Sequence, residues 1–405
     1  MIILAIDNVF INIIHIVLYD EEVNFTQITD VRQINRLRIL NLIAKSEKTN
    51  RAQISRELGF NKVSTGEIVD LLITEGLVEE VGAQLGGTGR PSIALTLNKE
   101  RYFVIAIDIG LRNIRFALIN LSGELLRFER FPTPLTPTVE EAMALIIRHV
   151  NAYKARLAKD QTIKGIAISI GAHVEPSTGT IIEHRDWKWN NIPLSYAIEK
   201  YTQLPVIVEN NVVAMIKGEK WFNQEAHDKR IFYVNWGEHI SGAFSSPGRK
   251  TSPEALFGHM VVTEHNRCSC GGIGCLETVA SGIALSNYAT KNNSVKTLIE
   301  EAKNDPVLQR LLYESATFMA KALINTAAIV RPSIIIIGGG ISLLPDTYFD
   351  HLIDEFNTHC PPIVNSNIII TRSILKERGG IIGTGIVALD EFIFRRSLIE
   401  QLNAR

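Results

Sequence analysis

The chain has 405 residues, of which 46% are hydrophobic and 21% are charged, and its formal net charge at pH 7 is −1. This length allows two or three domains with separate cores, and the composition is typical of a globular protein. A net charge near zero excludes attraction of the whole molecule to DNA or to anionic membranes, so DNA binding would require a local surface. Four cysteines do not make a disulfide scaffold at this length, and we expect a cytoplasmic protein.

Residues 1–27 are predicted to be an apolar N-terminal extension, and the pattern leaves its role open. The segment lacks the basic start of a signal peptide. Polar side chains near the middle of residues 1–19 would make a membrane span costly, and these are Asp7, Asn8, Asn12 and His15. A packed strand or helix and a start codon assigned too early are the two alternatives, and we expect no membrane contact.

Residues 28–98 are predicted to form a winged helix-turn-helix domain. Apolar residues at helical spacing predict a first helix over 30–46. Asn50 and Asn61 are typical N-caps for two further helices, and Gly59 is a natural stop between them. Alternating apolar residues then predict two strands around a loop at 82–89. A three-helix interaction module is the alternative to a DNA-binding domain.

The sequence Gly-Thr-Gly-Arg-Pro at 87–91 favours DNA binding, because an arginine held out on a glycine loop suits insertion into a narrow minor groove. We expect an AT-rich, roughly palindromic operator, bound by a homodimer or homotetramer whose recognition helices reach successive major grooves. Gly66 and Glu67 in the third helix leave the recognised base pairs undefined. The predicted DNA-binding residues are Arg51, Lys62, Ser64, Thr65 and Arg90.

Residues 99–405 are predicted to form an α/β domain with two lobes, at about 99–225 and 226–405. The first lobe begins with a buried strand that ends in Asp108, followed by further strands, a helix and another apolar strand. The second lobe has a strand at 231–235, a long helix at 306–330 and a strand at 334–337. Three glycines follow that last strand, which is a weak signal for a phosphate or base ligand.

A cluster of cysteines in the second lobe predicts a structural zinc site. Three of the four cysteines lie within eight residues, and a histidine precedes them, which gives the imidazole and three thiolates of a closed zinc site. The predicted ligands are His259, Cys268, Cys270 and Cys275, and Cys360 is not expected to take part. Three free thiols in a glycine-rich loop are the alternative.

The same segment resembles the signature of the ROK family, which contains repressors, open reading frames and sugar kinases. Gly-His is followed by Cys-x-Cys-Gly-x-x-Gly-Cys-Leu-Glu, and the predicted wing carries the Gly-Arg-Pro of ROK repressors. The resemblance implies an actin-like, ribonuclease H-like fold of the sugar-kinase type, with zinc on the His and Cys residues. It also implies a sugar site formed by Asn210, Asn211, His259 and Glu277. A helix-capping carboxylate beside the zinc is the alternative for Glu277, and Leu256 replaces a family glutamate.

Three departures from the family's kinase motifs predict that this chain is not an enzyme. ATP-using members carry Asp-x-Gly-Gly-Thr, whereas Leu and Arg follow Asp108-Ile109-Gly110 here. The second phosphate loop contains Trp236, Glu238 and His239, and the catalytic Asp of a Glu-Asn-Asp triplet is replaced by Asn211.

We therefore expect a transcriptional repressor of carbohydrate-utilisation genes, regulated by a sugar or a sugar phosphate. A protein of a sugar-transport system is a candidate further partner. The alternative is an ATP-dependent sugar kinase that carries an N-terminal DNA-binding domain.

Overall fold

The computed structural model describes residues 28–395, apart from residues 47, 85–91, 227, 250, 289–294 and 366. The N-terminal extension, the tip of the predicted wing and residues 396–405 lie outside these ranges. Within the described residues, no helix is both long enough and apolar enough to cross a membrane.

The N-terminal part consists of three helices followed by an antiparallel hairpin. The elements are α1 (Ile28–Lys45), α2 (Arg51–Leu58), α3 (Lys62–Thr74), β1 (Val78–Gln84) and β2 (Ser92–Leu97). The predicted caps are in place: the Asn50 side chain accepts a hydrogen bond from the backbone N–H of Gln53, and the Asn61 side chain accepts one from Val63. Gly59 ends α2 with φ of 67°, a left-handed conformation that glycine adopts at little cost.

The first lobe is built on a five-stranded mixed sheet with the order β10-β6-β3-β4-β5. Its elements are β3 (Tyr102–Ile109), β4 (Asn113–Asn120), β5 (Leu125–Pro132), α4 (Val139–Lys154), β6 (Thr162–Ile170), α5 (Leu194–Thr202), β10 (Val206–Asn210) and α6 (Asn211–Phe222). A separate small sheet, which the sequence patterns did not predict, contains β7 (His173–Glu175), β8 (Thr180–His184) and β9 (Trp189–Ile192). These strands are too short to show a clear alternation of apolar residues.

The second lobe has a four-stranded sheet with the order β12-β11-β13-β14. Its elements are β11 (Ile231–Trp236), β12 (Ile240–Ser245), α7 (Glu277–Ala280), α8 (Gly282–Ser286), α9 (Val295–Ala302), α10 (Pro306–Val330), β13 (Ile334–Gly338), α11 (Asp346–His359) and β14 (Ile369–Arg372). The chain then returns to the first lobe through α12 (Gly379–Leu389), which continues as one π-helical turn over Asp390–Phe394.

Every residue of the central strand β3 is buried, because both faces of the sheet are covered. On one face, Phe103 and Ile105 belong to a core that includes residues of α4. On the other face, Val104 and Ala106 share a core with α12 and with Leu40 and other residues of α1. The winged-helix part and the first lobe therefore have a continuous hydrophobic core. A buried hydrogen bond from Asn41 Nδ2 to the Phe394 carbonyl oxygen, 2.8 Å long, joins them further.

Candidate functional site

The four predicted zinc ligands come together in the second lobe. The ligand atoms of His259, Cys268, Cys270 and Cys275 all lie within 4.8 Å of one another. Cys268 Sγ is 3.6 Å from His259 Nδ1, and Cys270 Sγ is 3.6 Å from Cys275 Sγ. Tetrahedral zinc with Zn–S bonds of about 2.3 Å separates its sulfur ligands by about 3.8 Å, so these residues fit the ion.

Glycines allow the loop to bring the thiols together. Gly271 and Gly274 have φ of 91° and 78°, and a Cβ atom on Gly274 would overlap the backbone of Thr263. Burial, and then the neighbouring thiols, raise the pKa of Cys275 to about 12. A bound cation would remove that penalty, because it stabilises the thiolate form. Cys360 is not in this group and is buried in the core of the second lobe.

The second constellation lies between the two lobes, in the region called the cleft below, at the carboxyl end of β10. Asn210 ends this strand and caps α6, since its side-chain oxygen accepts a hydrogen bond from Val212 N–H at 2.9 Å. Its Nδ2 atom donates to the Ala172 carbonyl oxygen and to Glu254 Oε2, at 2.9 and 2.8 Å. Asn211 is half-buried beside Gly171, and within the described residues its side chain makes no hydrogen bond.

Glu254 is a site residue that sequence reasoning missed. The family glutamate expected at position 256 is a leucine whose side chain is 62% exposed, and Glu254 supplies a carboxylate to the cleft from two residues earlier. Burial raises the pKa of Glu254 to about 7, against the opposing effects of Arg185 and His239. The sequence contained a signal for this residue, because Glu254 is the only acidic residue between β12 and the Gly-His pair.

His239 is held between two carboxylates. Its Nδ1 and Nε2 atoms donate to Glu277 Oε1 at 2.7 Å and to Asp186 Oδ2 at 3.0 Å. Burial acts to lower the pKa of His239, but the two carboxylates outweigh it and raise this pKa to about 10. The second Glu277 oxygen accepts from the backbone N–H of Ile240 at 2.9 Å. Glu277 thus uses both oxygens to bind the β11–β12 turn rather than to cap its own helix.

An ion pair closes the cleft between the two lobes. Arg112, in the β3–β4 turn, presents Nε and Nη2 to the two carboxylate oxygens of Glu238, and the Nη2–Oε2 distance is 3.0 Å. These residues lie in the two loops that sequence analysis compared with phosphate-binding loops. The contact between Asp186 and His239 forms a second bridge between the lobes.

Comparison with sequence models of protein families gives a match over residues 104–391 to the model described as the ROK family. The chain belongs to the ROK family. The resemblance stated from the cysteine motif is thereby confirmed.

One sequence relative and two solved structures are similar to this ROK protein over most of its length. A putative xylose repressor from Caldicellulosiruptor sp. (strain Rt8B.4) is 28% identical over 394 residues, which cover 90% of this chain and 97% of the relative. A ROK transcriptional regulator described as a homologue of E. coli MLC has a TM-score of 0.77 and 21% identity, with 91% of this chain and 99% of that chain covered. The Streptomyces griseus ROK glucokinase, solved with glucose and AMPPNP, has a TM-score of 0.60 and 23% identity, with 70% and 98% covered. These similarities confirm the predicted fold class.

The predicted DNA-binding residues of the ROK protein occupy different environments. Lys62 and Ser64 are exposed at the start of α3. Thr65 is fully buried and its hydroxyl donates to the Asn61 carbonyl oxygen at 2.9 Å, so the predicted role in DNA binding does not fit its position. Arg51 is engaged with Asp70 and Glu80, at 2.6 and 2.7 Å. Arg90 lies outside the described residues.

Proposed function

We propose that this ROK protein is a DNA-binding repressor of carbohydrate-utilisation genes, whose kinase-like body binds a sugar or a sugar phosphate without phosphorylating it. The observation that carries the proposal is the ion pair between Arg112 and Glu238 across the cleft. The similarity to a xylose repressor over 90% of this chain supports the same function.

The ion pair matters because it fills the two loops and changes their charge, and not because it stabilises the fold. Both side chains are partly exposed, and such pairs contribute at most about 1 kcal/mol. Phosphoryl transfer, however, requires a binding site whose groups neutralise the charge on the transferred phosphate. Glu238 puts a negative charge in the second phosphate loop, and Arg112 fills the first loop with a side chain that is already paired.

The general base required for phosphorylation is also missing from its expected position. A sugar hydroxyl must lose a proton as it attacks the phosphate, and Asn211 offers an amide that cannot accept this proton near neutral pH. Loss of a general base typically costs roughly 100- to 10,000-fold in rate. Within the described residues the amide of Asn211 makes no hydrogen bond, so it can still bind a sugar hydroxyl, and sugar recognition does not require the lost base.

The proposed sugar site contains Asn210, Asn211, His259 and Glu277, with Glu254 added from the structure. Asn210 and Glu254 are held by each other and leave their remaining lone pairs for hydroxyl groups. The proposed zinc is structural, because one imidazole and three thiolates leave no ligand position open. It would fix the loop that carries His259 and the start of α7, where Glu277 lies.

The proposed DNA surface is the exposed start of α3, with Lys62 and Ser64, together with Arg51 and Arg90. We leave Thr65 out of this set because it is buried. A homodimer would present two such surfaces and a homotetramer four, and the proposed location is the cytoplasm. A transport-system protein stays a candidate partner.

The kinase alternative is tested by ATP-dependent phosphorylation of D-xylose, D-glucose and N-acetylglucosamine with the purified chain. We expect no turnover above a protein-free control. Asn211→Asp alone should not create activity, because Arg112 and Glu238 still occupy the phosphate loops. Turnover by the wild type that is lost in Asn211→Ala would instead establish the kinase alternative.

A further inference from the structure

A cavity of about 610 Å³ lies where the winged-helix part meets the first lobe. Its walls come from α1, the end of α3, the first residues of β3 and β6, and the turn after α12. This volume is in the range of small-molecule pockets. The cavity is separate from the sugar cleft and the cysteine cluster, since it shares no lining residue with them.

This cavity, called the junction pocket below, is lined by more positive than negative side chains. Arg36, Lys164 and Arg395 line it, whereas Glu75 is the one carboxylate among the described residues of its wall and forms an ion pair with Arg36. Three cations against one carboxylate leave two positive charges. Within the described residues, neither Lys164 nor Arg395 has a carboxylate partner.

Lys164 in particular contacts an aromatic ring, and within the described residues it forms no ion pair. Its ammonium lies 4.1 Å from the centre of the Tyr102 ring, a cation–π contact that leaves hydrogen-bond donors free. Burial, followed by the positive charges of Arg101 and Arg36, lowers the pKa of Lys164 against the opposing effect of Glu75. An anion in the pocket would offset both effects.

The other walls of the junction pocket are apolar or aromatic, with Ile34, Tyr102 and Phe392 among them. Pockets that combine an apolar wall with a few convergent charges hold small organic ligands in one orientation. A phosphate monoester carries about −1.5 to −2 charges near neutral pH, which matches the excess of two positive charges.

We propose that the junction pocket binds a small phosphate monoester, with its phosphate between Arg36, Lys164 and Arg395 and its organic part against Tyr102 and Phe392. The ligand bridges two domains, since Arg36 belongs to α1 and Lys164 to β6. The Tyr102 hydroxyl already joins them by donating to the Glu75 carbonyl oxygen at 2.6 Å. Binding therefore stabilises the junction through which the DNA-binding part is attached.

The test is calorimetric titration of the full chain with glucose 6-phosphate, inorganic phosphate and glucose at fixed ionic strength. We expect saturable binding of glucose 6-phosphate, with weaker binding of inorganic phosphate because it lacks the organic part. Lys164→Gln should weaken the binding of glucose 6-phosphate roughly ten-fold or more, the size of one charge-assisted hydrogen bond. The matched control is Lys200→Gln, which removes an exposed charge from α5 and should bind as the wild type does.

Two outcomes would overturn the proposal. One is the absence of saturable binding to the wild type. The other is glucose 6-phosphate affinity that is unchanged in both Lys164→Gln and Arg395→Gln, which would place this ligand elsewhere, such as in the sugar cleft. Neither outcome bears on whether the protein represses transcription, so the two proposals fail independently.

Discussion

At the scale of single residues, the cysteine cluster gives the simplest prediction. The protein purified without added metal should contain close to one zinc per chain, because four side chains are already placed at ligand distances. Cys268→Ser should lower the zinc content and the midpoint of thermal unfolding. Cys360→Ala is the matched control, and elemental analysis should still find one zinc. Well-folded wild type without zinc would exclude this account of the cluster.

Glu254 gives a prediction about pH. Burial raises its pKa from 4.5 in the unfolded chain to about 7 in the folded protein. The folded state therefore holds more protons than the unfolded state between these values, and stability falls as the pH rises through this window. The side chain in Glu254→Gln is neutral at every pH, so this variant should lack the part of the decrease in stability that Glu254 causes.

The free energy of unfolding, measured by urea at pH 5 and at pH 8, checks the prediction. From pH 5 to pH 8, the free energy of unfolding should decrease less in Glu254→Gln than in the wild type, and the difference should be on the order of 2 kcal/mol. Glu100→Gln removes an exposed carboxylate and should leave the decrease unchanged. An equal decrease in all three proteins would show that Glu254 is ionised in the folded state at pH 5.

At the scale of elements, the contact between α6 and α12 positions the cleft. The two helices cross at glycines: a Cβ atom on Gly218 would lie 2.9 Å from the Gly383 Cα atom, and one on Gly383 would overlap the Ala214 backbone. Asn211 is the first residue of α6, so any separation of these helices would move the proposed sugar site.

Gly383→Ala should therefore destabilise the protein by about 1–3 kcal/mol, the usual cost of overpacking. Gly66→Ala is the control, because no atom lies within 4 Å of the added methyl group and the site is in a helix. It should stabilise the protein by up to about 1 kcal/mol. Urea midpoints measure both changes, and a Gly383→Ala protein as stable as the wild type would refute the close helix contact.

Local patterns predicted the elements and the cysteine cluster, because their signals lie close together in the sequence. Asn50, Gly59 and Asn61 mark helix ends through their own backbone contacts. The cleft contacts could not be predicted in this way. Asp186 and His239 are 53 positions apart, and Arg112 and Glu238 are 126 positions apart. Only the folding of two lobes onto each other brings such pairs into contact.

The burial of Thr65 could also have been predicted from a local pattern in the sequence. It lies on the same face of α3 as Ile68, Val69 and Leu72, and all four are buried. Helical periodicity thus assigns Thr65 to the core, whereas the sequence analysis had placed it among the DNA-binding residues.

At the scale of the whole molecule, the continuous core suggests how a sugar could affect DNA binding. The proposed sugar site lies at the start of α6, which packs on α12, and the turn after α12 is hydrogen-bonded to α1 through Phe394 and Asn41. A shift of α6 on sugar binding would therefore reach the proposed DNA-binding part through packed elements rather than through a flexible linker. Effects of one ligand on another are typically 5- to 150-fold in affinity.

The most direct test of the account is the affinity for DNA duplexes selected from a random pool, measured by fluorescence anisotropy with and without D-xylose, D-glucose or N-acetylglucosamine. We predict selection of an AT-rich, roughly palindromic sequence, weaker binding by Lys62→Ala and Arg90→Ala, and at least a five-fold change with one of the sugars. Asn211→Ala should bind the DNA normally but lose the sugar effect. Equal affinity for selected and random duplexes, together with no effect of any sugar, would contradict a sugar-responsive repressor.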